Sequence, residues 1–380
     1  MGRVSTRYSG TSIGRCCSRE QGGACLVSTA EEGDGDGSDT DTSSTPLPPA
    51  FEGYATEPLA QSPAGGPGKN GLLEATFGRD GGNPTRLLRD HVKVPYHLTG
   101  TLETDPAPGL TTLVAQEPTG GVAQGDRHRL AIDARSGARA HVTTQSATKV
   151  HSMNENYAHL DATLVAGPGS HLEYLPGPTI VNENARCLQT IDVDPAPGST
   201  VIVSDVLVPD GLSDHEPFEF DHYHARVEAE YEGRLVCADA VDLRPADRDP
   251  RDAASVGEYG VVGSLYVFAP GSESETEVEA ETAVEADTDG DGHSQSSPVD
   301  SGSSETDGDA GTDGLLDRLA DRIAAFDDVH AGVSTLPYEV GAVVRVVGHR
   351  EADVTGTVRA AWDEARQHTL GVGTPADRRY

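Results

Sequence analysis

The chain has 380 residues and a formal charge of −34, with 62 acidic side chains against 28 basic ones, of which only Lys69, Lys93 and Lys149 are lysines. At molar salt the Debye length falls to roughly 3 Å, so an acidic, lysine-poor surface reads as adaptation to a salty solvent. It excludes a nucleic-acid binder, which needs a basic stripe. No apolar run approaches the ~18–20 residues that span a bilayer. The N-terminus lacks the charged region and apolar core of a secretory signal, so a cytoplasmic protein with no membrane contact is expected.

Residues 1–68 are rich in Gly, Ser, Thr and Pro and show no hydrophobic period, so they are expected to be a disordered extension. Cys16, Cys17 and Cys25 lie there without a second pair to complete a zinc-type spacing. Cys187 and Cys237 sit in strand-like segments and read as small buried hydrophobes. Residues 69–270 form a dense β core. Alternating or β-branched runs occur at 87–98, 110–116, 128–134, 138–145, 158–165, 171–175 and 186–193. Others follow at 200–208, 218–231, 234–243 and 263–268, divided by turn residues such as Gly167-Pro168-Gly169. With no helices between them, these runs exclude a βαβ sheet and predict a layered or helical stack of strands.

Residues 271–314 hold 14 acidic side chains and no Lys or Arg, which predicts a disordered acidic insertion. The run 287–292 begins like a calcium loop but lacks its closing Glu: Ser296 stands there. Residues 315–371 return to the same domain, and 372–380 are a tail. Two helices are predicted here. One spans 313–329, with Asp313 as N-cap and Leu315, Leu316, Leu319, Ile323 and Phe326 on one face. The other spans 354–368 and carries Val358, Trp362 and Ala365.

Four clusters could carry chemistry. His222 and His224, two apart on a strand, place both imidazoles on one face, with His215 and Glu216 nearby in sequence. Such a set suits a transition metal. Gly120-Gly121-x-x-x-Gly125-Asp126 lacks the Lys-Ser/Thr of a phosphate loop and precedes a strand, so it reads as a turn placing Asp126 at a strand mouth. Thr143–Lys149 is a polar loop; Ser146 and Lys149 match Ser-x-x-Lys, but the companion motifs are absent, so no catalytic residue is assigned. Glu173 stands among large apolar residues; burial would raise its pKa unless it is paired, and otherwise it faces water.

The order of these motifs resembles the UreD (UreH) family of urease accessory proteins, of haloarchaeal type. The resemblance rests on Gly120–Asp126, Thr143–Val150, Leu172–Ile180, Asp239…Leu243-x-Pro245, Arg345–Gly348 and Trp362…Arg366…Gly371. Near Glu216 the family's Gly-Arg pair is lost and His215 replaces a Gly. The resemblance implies a mainly β, UreD-like β-helical stack with two C-terminal helices and no enzymatic activity. It implies the partners UreF, the GTPase UreG and apo-urease, and a transient nickel cargo. Asp126, Glu173 and Glu216 would line a nickel path, with Thr144, Gln145, Thr148 and Lys149 beside it. The competing reading is a metal-dependent, cupin-like enzyme using His222, His224 and Glu216.

Overall fold

The computed structural model describes residues 46–59, 68–209, 216–271 and 312–376. The cysteines of the N-terminal extension, His215 and nearly all of the acidic insertion lie outside them. Strict alternation organises most strands. In β5 (Arg127–Ala134) every second residue is buried, so each strand hides one face and needs a second sheet to cover it.

Two sheets meet this need. The first has the order β14-β13-β11-β8-β5-β1-β2. It comprises β1 (Asn70–Gly78), β2 (Arg86–Lys93), β5, β8 (Ala158–Ala166), β11 (Arg186–Pro195), β13 (His222–Tyr231) and β14 (Arg234–Leu243). The second runs β16-β17-β15-β12-β9-β6-β4-β3. Its strands are β3 (Thr101–Leu102), β4 (Thr111–Ala115), β6 (Arg139–Thr144), β9 (His171–Leu175), β12 (Thr200–Pro209), β15 (Val261–Phe268), β16 (Val329–Thr335) and β17 (Gly341–Gly348). The short β7 (Thr148–Val150) and β10 (Thr179–Val181) pair beside β12.

Between β4 and β13 the chain passes repeatedly from one sheet to the other, so neighbours there come from successive coils and lie parallel, whereas β3 with β4 and β12, β15, β17 and β16 pair antiparallel. Strands β1, β5, β8, β11 and β13 are all parallel; antiparallel β2 and β14 close the two edges. This is a solenoid-like stack, the helical one of the two arrangements the strand frequency left open and the one the family resemblance implied. Register keeps the interior in columns. Leu73, Leu130, Ala162, Ile191 and Val227 stand side by side across five coils and all are buried. The corners stack as well: Gly167 N–H donates to Ala134 O at 2.7 Å, and Ala196 N–H to Ala166 O at 2.8 Å.

Helices α2 (Thr312–Ile323) and α3 (Glu351–Leu370) cover the outer face of the second sheet. Leu315, Leu319, Val354, Val358 and Trp362 pack on Ile202, Leu265 and Val344. α2 ends at Ile323, short of the predicted 329, and the chain turns directly into β16. α3 is longer at both ends than predicted and stops at Gly371, whose φ of +68° suits a left-handed cap. Strands β1, β16 and β17 and the short β3, β7 and β10 add to those read from the sequence.

One element corrects the sequence reading. Helix α1 (Pro49–Ala55) lies inside the stretch expected to be disordered. Seven residues are too few to display a helical period. It begins with Pro49 at its first position, as favoured there, and one fully buried side chain anchors it. Phe51 packs on Tyr157 and Leu188, and Glu57 just beyond the helix pairs with Arg186 at 2.6 Å.

Candidate functional site

Between the sheets, where β4–β9 meet β5–β11, the apolar column gives way to a cavity of ≈ 340 Å³. Its walls carry Tyr96, His128, Tyr174 and Gln189, and its rim is the loop with Thr144, Gln145, Thr148 and Lys149. The four predicted loop residues therefore stand together. Thr144 fixes the loop: its Oγ1 accepts from Gly177 N–H at 2.8 Å and donates to Ser146 O at 2.9 Å. Gly177 must lack a side chain, because a Cβ would come within 2.7 Å of Ser146 O.

Beyond the cavity a polar thread continues between the sheets. Gln189 accepts from Thr179 Oγ1 at 3.3 Å and donates through Nε2 to Asp205 Oδ1 at 2.9 Å. Tyr223 also donates to Asp205, at 3.3 Å. Burial pushes the Asp205 carboxyl up from its usual range, and these bonds offset that only in part. Arg345 joins Asp239, which also accepts from Tyr266 at 2.8 Å. Asp205 was not identified from sequence. In 200–208 it is one polar residue among aliphatic ones, and that interruption was the available signal.

Glu173 faces the other way, off the outer side of the second sheet. It is fully buried. One carboxylate oxygen meets His171 Nε2 at 2.8 Å; the other meets His141 Nδ1 at 3.0 Å and Arg366 Nη1 at 3.4 Å. Arg366, from α3, is itself completely buried and also pairs with Asp105. Trp362 stacks on His141 with ring centres 5.2 Å apart. Burial alone would raise the Glu173 pKa, but the hydrogen bonds from His141 and His171 win and hold it far below the ordinary carboxylate range. Of the two sequence alternatives, the buried and paired one is the one found, and Glu173 does not face water.

The other two carboxylates are elsewhere. Asp126 is buried at the start of β5, as expected for a strand mouth, and accepts from the backbone N–H groups of Lys69 at 2.7 Å and Ala123 at 2.8 Å. Lys69 Nζ adds an ion pair at 3.0 Å. Asp126 thus holds a turn together. Glu216 is largely exposed, 3.9 Å from Arg251. Asp126, Glu173 and Glu216 do not converge on one site.

His222 and His224 do share a face, but their carboxylate is Asp242 rather than Glu216. The antiparallel register sets Asp242 opposite His224. His222 Nε2 lies 2.7 Å and His224 Nδ1 3.5 Å from Asp242 Oδ1. Burial lowers the pKa of both imidazoles against the raising pull of Asp242. The cupin-like reading, which needs Glu216 beside these histidines, is not assembled. The two described cysteines, Cys187 and Cys237, are free and buried as expected; burial raises the Cys187 thiol above its usual range and the Cys237 thiol to about 11.

These features define a solenoid-like stack of strands in which the buried Asp126, Glu173 and Arg366 are tied into ion pairs. Residues 69–379 match the family described as UreD urease accessory protein, and the chain belongs to that family. It is 63% identical to the urease accessory protein UreD of Natronomonas pharaonis, over 88% of this chain and 99% of the relative. The corresponding proteins of Haloquadratum walsbyi and Haloarcula marismortui are 51% and 42% identical, over 87% of this chain and 96% and 98% of their own lengths. The chain is thus of the haloarchaeal type. Among the described residues no helix is long and apolar enough to cross a membrane.

Proposed function

We propose that this protein is a non-enzymatic urease maturation factor, a scaffold that joins UreF and the GTPase UreG on apo-urease and passes nickel towards the urease metallocentre. Family membership supports the maturation role. The observation that carries the nickel step is the cavity between the sheets, continued by Gln189 and Asp205. An ion in transit needs several weak oxygen ligands in series, since a tight nitrogen or sulfur cage would trap it. Hydroxyl, amide and single carboxyl groups on separate coils meet that need. In this reading the path runs past Thr144, Thr148 and Gln189, while Asp126 and Glu173 hold the walls in place. GTP hydrolysis belongs to the partner, as the Gly120–Asp126 turn carries no phosphate-loop lysine.

The test is to block the cavity. Ala162 lies on its wall and is buried; Ala162→Phe fills the space at an overpacking cost of about 1–3 kcal/mol. Urease activation should fall at least tenfold while the complex with UreF and UreG still forms by size exclusion. Full activation by a folded Ala162→Phe protein, with assembly intact, overturns the conduit.

A further inference from the structure

Away from the cavity, the outer face of the first sheet carries a second arrangement of donors at the edge formed by β13 and β14. His222, His224 and Asp242 each offer one ligand atom, and these atoms lie within 4.8 Å of one another. Two atoms bound to one ion at about 2.1 Å each sit roughly 3.0–3.5 Å apart. The observed 2.7 Å and 3.5 Å contacts to Asp242 Oδ1 bracket that spacing. The side chains need only small adjustments.

The hydrogen bonding at this site is poorly matched as it stands. His222 Nε2 meets an acceptor, Asp242, at 2.7 Å and a donor, Arg244 Nε, at 3.2 Å. One ring nitrogen cannot both donate and accept, so one contact is unsatisfied. The Nδ1 atoms of His222 and His224 are both buried without a hydrogen bond. A cation already leans on the site: the Arg244 guanidinium contacts both oxygens of Asp242, at 3.0 and 3.4 Å. Arg244 is only about two-thirds buried and has a second acidic neighbour, Asp247, at 4.0 Å. It can therefore swing away and leave the seat to another positive charge.

We propose that His222, His224 and Asp242 bind one divalent transition-metal ion of the nickel or zinc type, with Arg244 as the displaceable cation that occupies its place. Two imidazole nitrogens and one carboxylate select such an ion over magnesium or calcium, which take oxygen ligands. The open side of Asp242 leaves positions for water. Helix α1 roofs the site, since Phe51 packs on the His222 ring with centres 4.4 Å apart. The proposal does not depend on the conduit, because no ligand of this site lines the cavity.

The test is calorimetric titration of Ni2+ and Zn2+ into the untagged, chelator-stripped full-length protein. Wild type should bind one equivalent, and His224→Ala and Asp242→Asn should each weaken it at least tenfold. Arg244→Ala should tighten it severalfold, a result that loss of fold cannot mimic. Melting curves check that each variant is folded. Absence of a stoichiometric ion in wild type overturns the site. So does binding unchanged in both ligand variants, which assigns the ion to other histidines, or weaker binding in Arg244→Ala.

Discussion

Arg366 is the side chain on which the second sheet and its helices most depend. It is completely buried with Asp105 and Glu173 as counter-charges, so its removal leaves carboxylates without a cation in a dry environment. Breaking such a pair costs about 3–5 kcal/mol. We expect Arg366→Met to lose that much by chemical denaturation, with little sensitivity to salt. Asp205 behaves in the opposite sense. Its folded pKa is raised, so its contribution to stability is full below the unfolded value of about 3.9 and is lost as pH rises through the folded one. Asp205→Asn should therefore raise the melting temperature at pH 7, with the gain fading as pH approaches 4. A variant no more stable than wild type at pH 7 would show that the ionised Asp205 is fully compensated.

The residue scale also marks the limit of what the chain reveals as a sequence. That Glu173 needs a partner follows from its apolar neighbours. That the partner is Arg366, 193 positions later, does not. The same holds for Asp242, which substitutes for Glu216 only because β13 and β14 pair in one register.

Among the elements, α3 packs tightly on the sheet where β15 and β17 present glycine. A Cβ on Gly263 would sit 2.7 Å from Val354 and 3.0 Å from Val358; one on Gly348 would sit 2.8 Å from Val354. Gly263→Val should lift the helix and cost about 1–3 kcal/mol. Gly356, inside α3, has open space around its α-carbon, so Gly356→Ala should stabilise by roughly 0.5–1 kcal/mol through helix propensity. Urea unfolding of the pair measures both signs. Most of the longer strands were legible because alternation over five to ten residues is visible locally, although β1, β16 and β17 went unread. Their parallel pairing was not, because it depends on where the chain goes after each corner. α1 was invisible for a related reason: one buried ring, Phe51, holds it.

For the whole molecule the charge of −34 decides the working solvent. Raising salt from 0.1 M to 1 M shortens the Debye length from about 10 Å to about 3 Å. Surface acid repulsion is then largely screened, whereas the buried Arg366 cluster is not. The melting temperature should climb steeply with KCl in this range. Wild type and Arg366→Met should climb in parallel, which separates the surface contribution from the buried one. Parallel curves are expected from thermal unfolding followed by circular dichroism; a curve that is flat in wild type would remove solvent adaptation as the meaning of the acidity.

The stacked corners at Ala134–Gly137 and Ala166–Gly169 make each coil a neighbour only of the coil before and the coil after it. A molecule assembled in this way is a ruler with divisions. Adding or deleting one coil would change the stack by a single step of about 4.8 Å, without rewriting the coils on either side. The distance between the two ends is thereby adjustable in whole units.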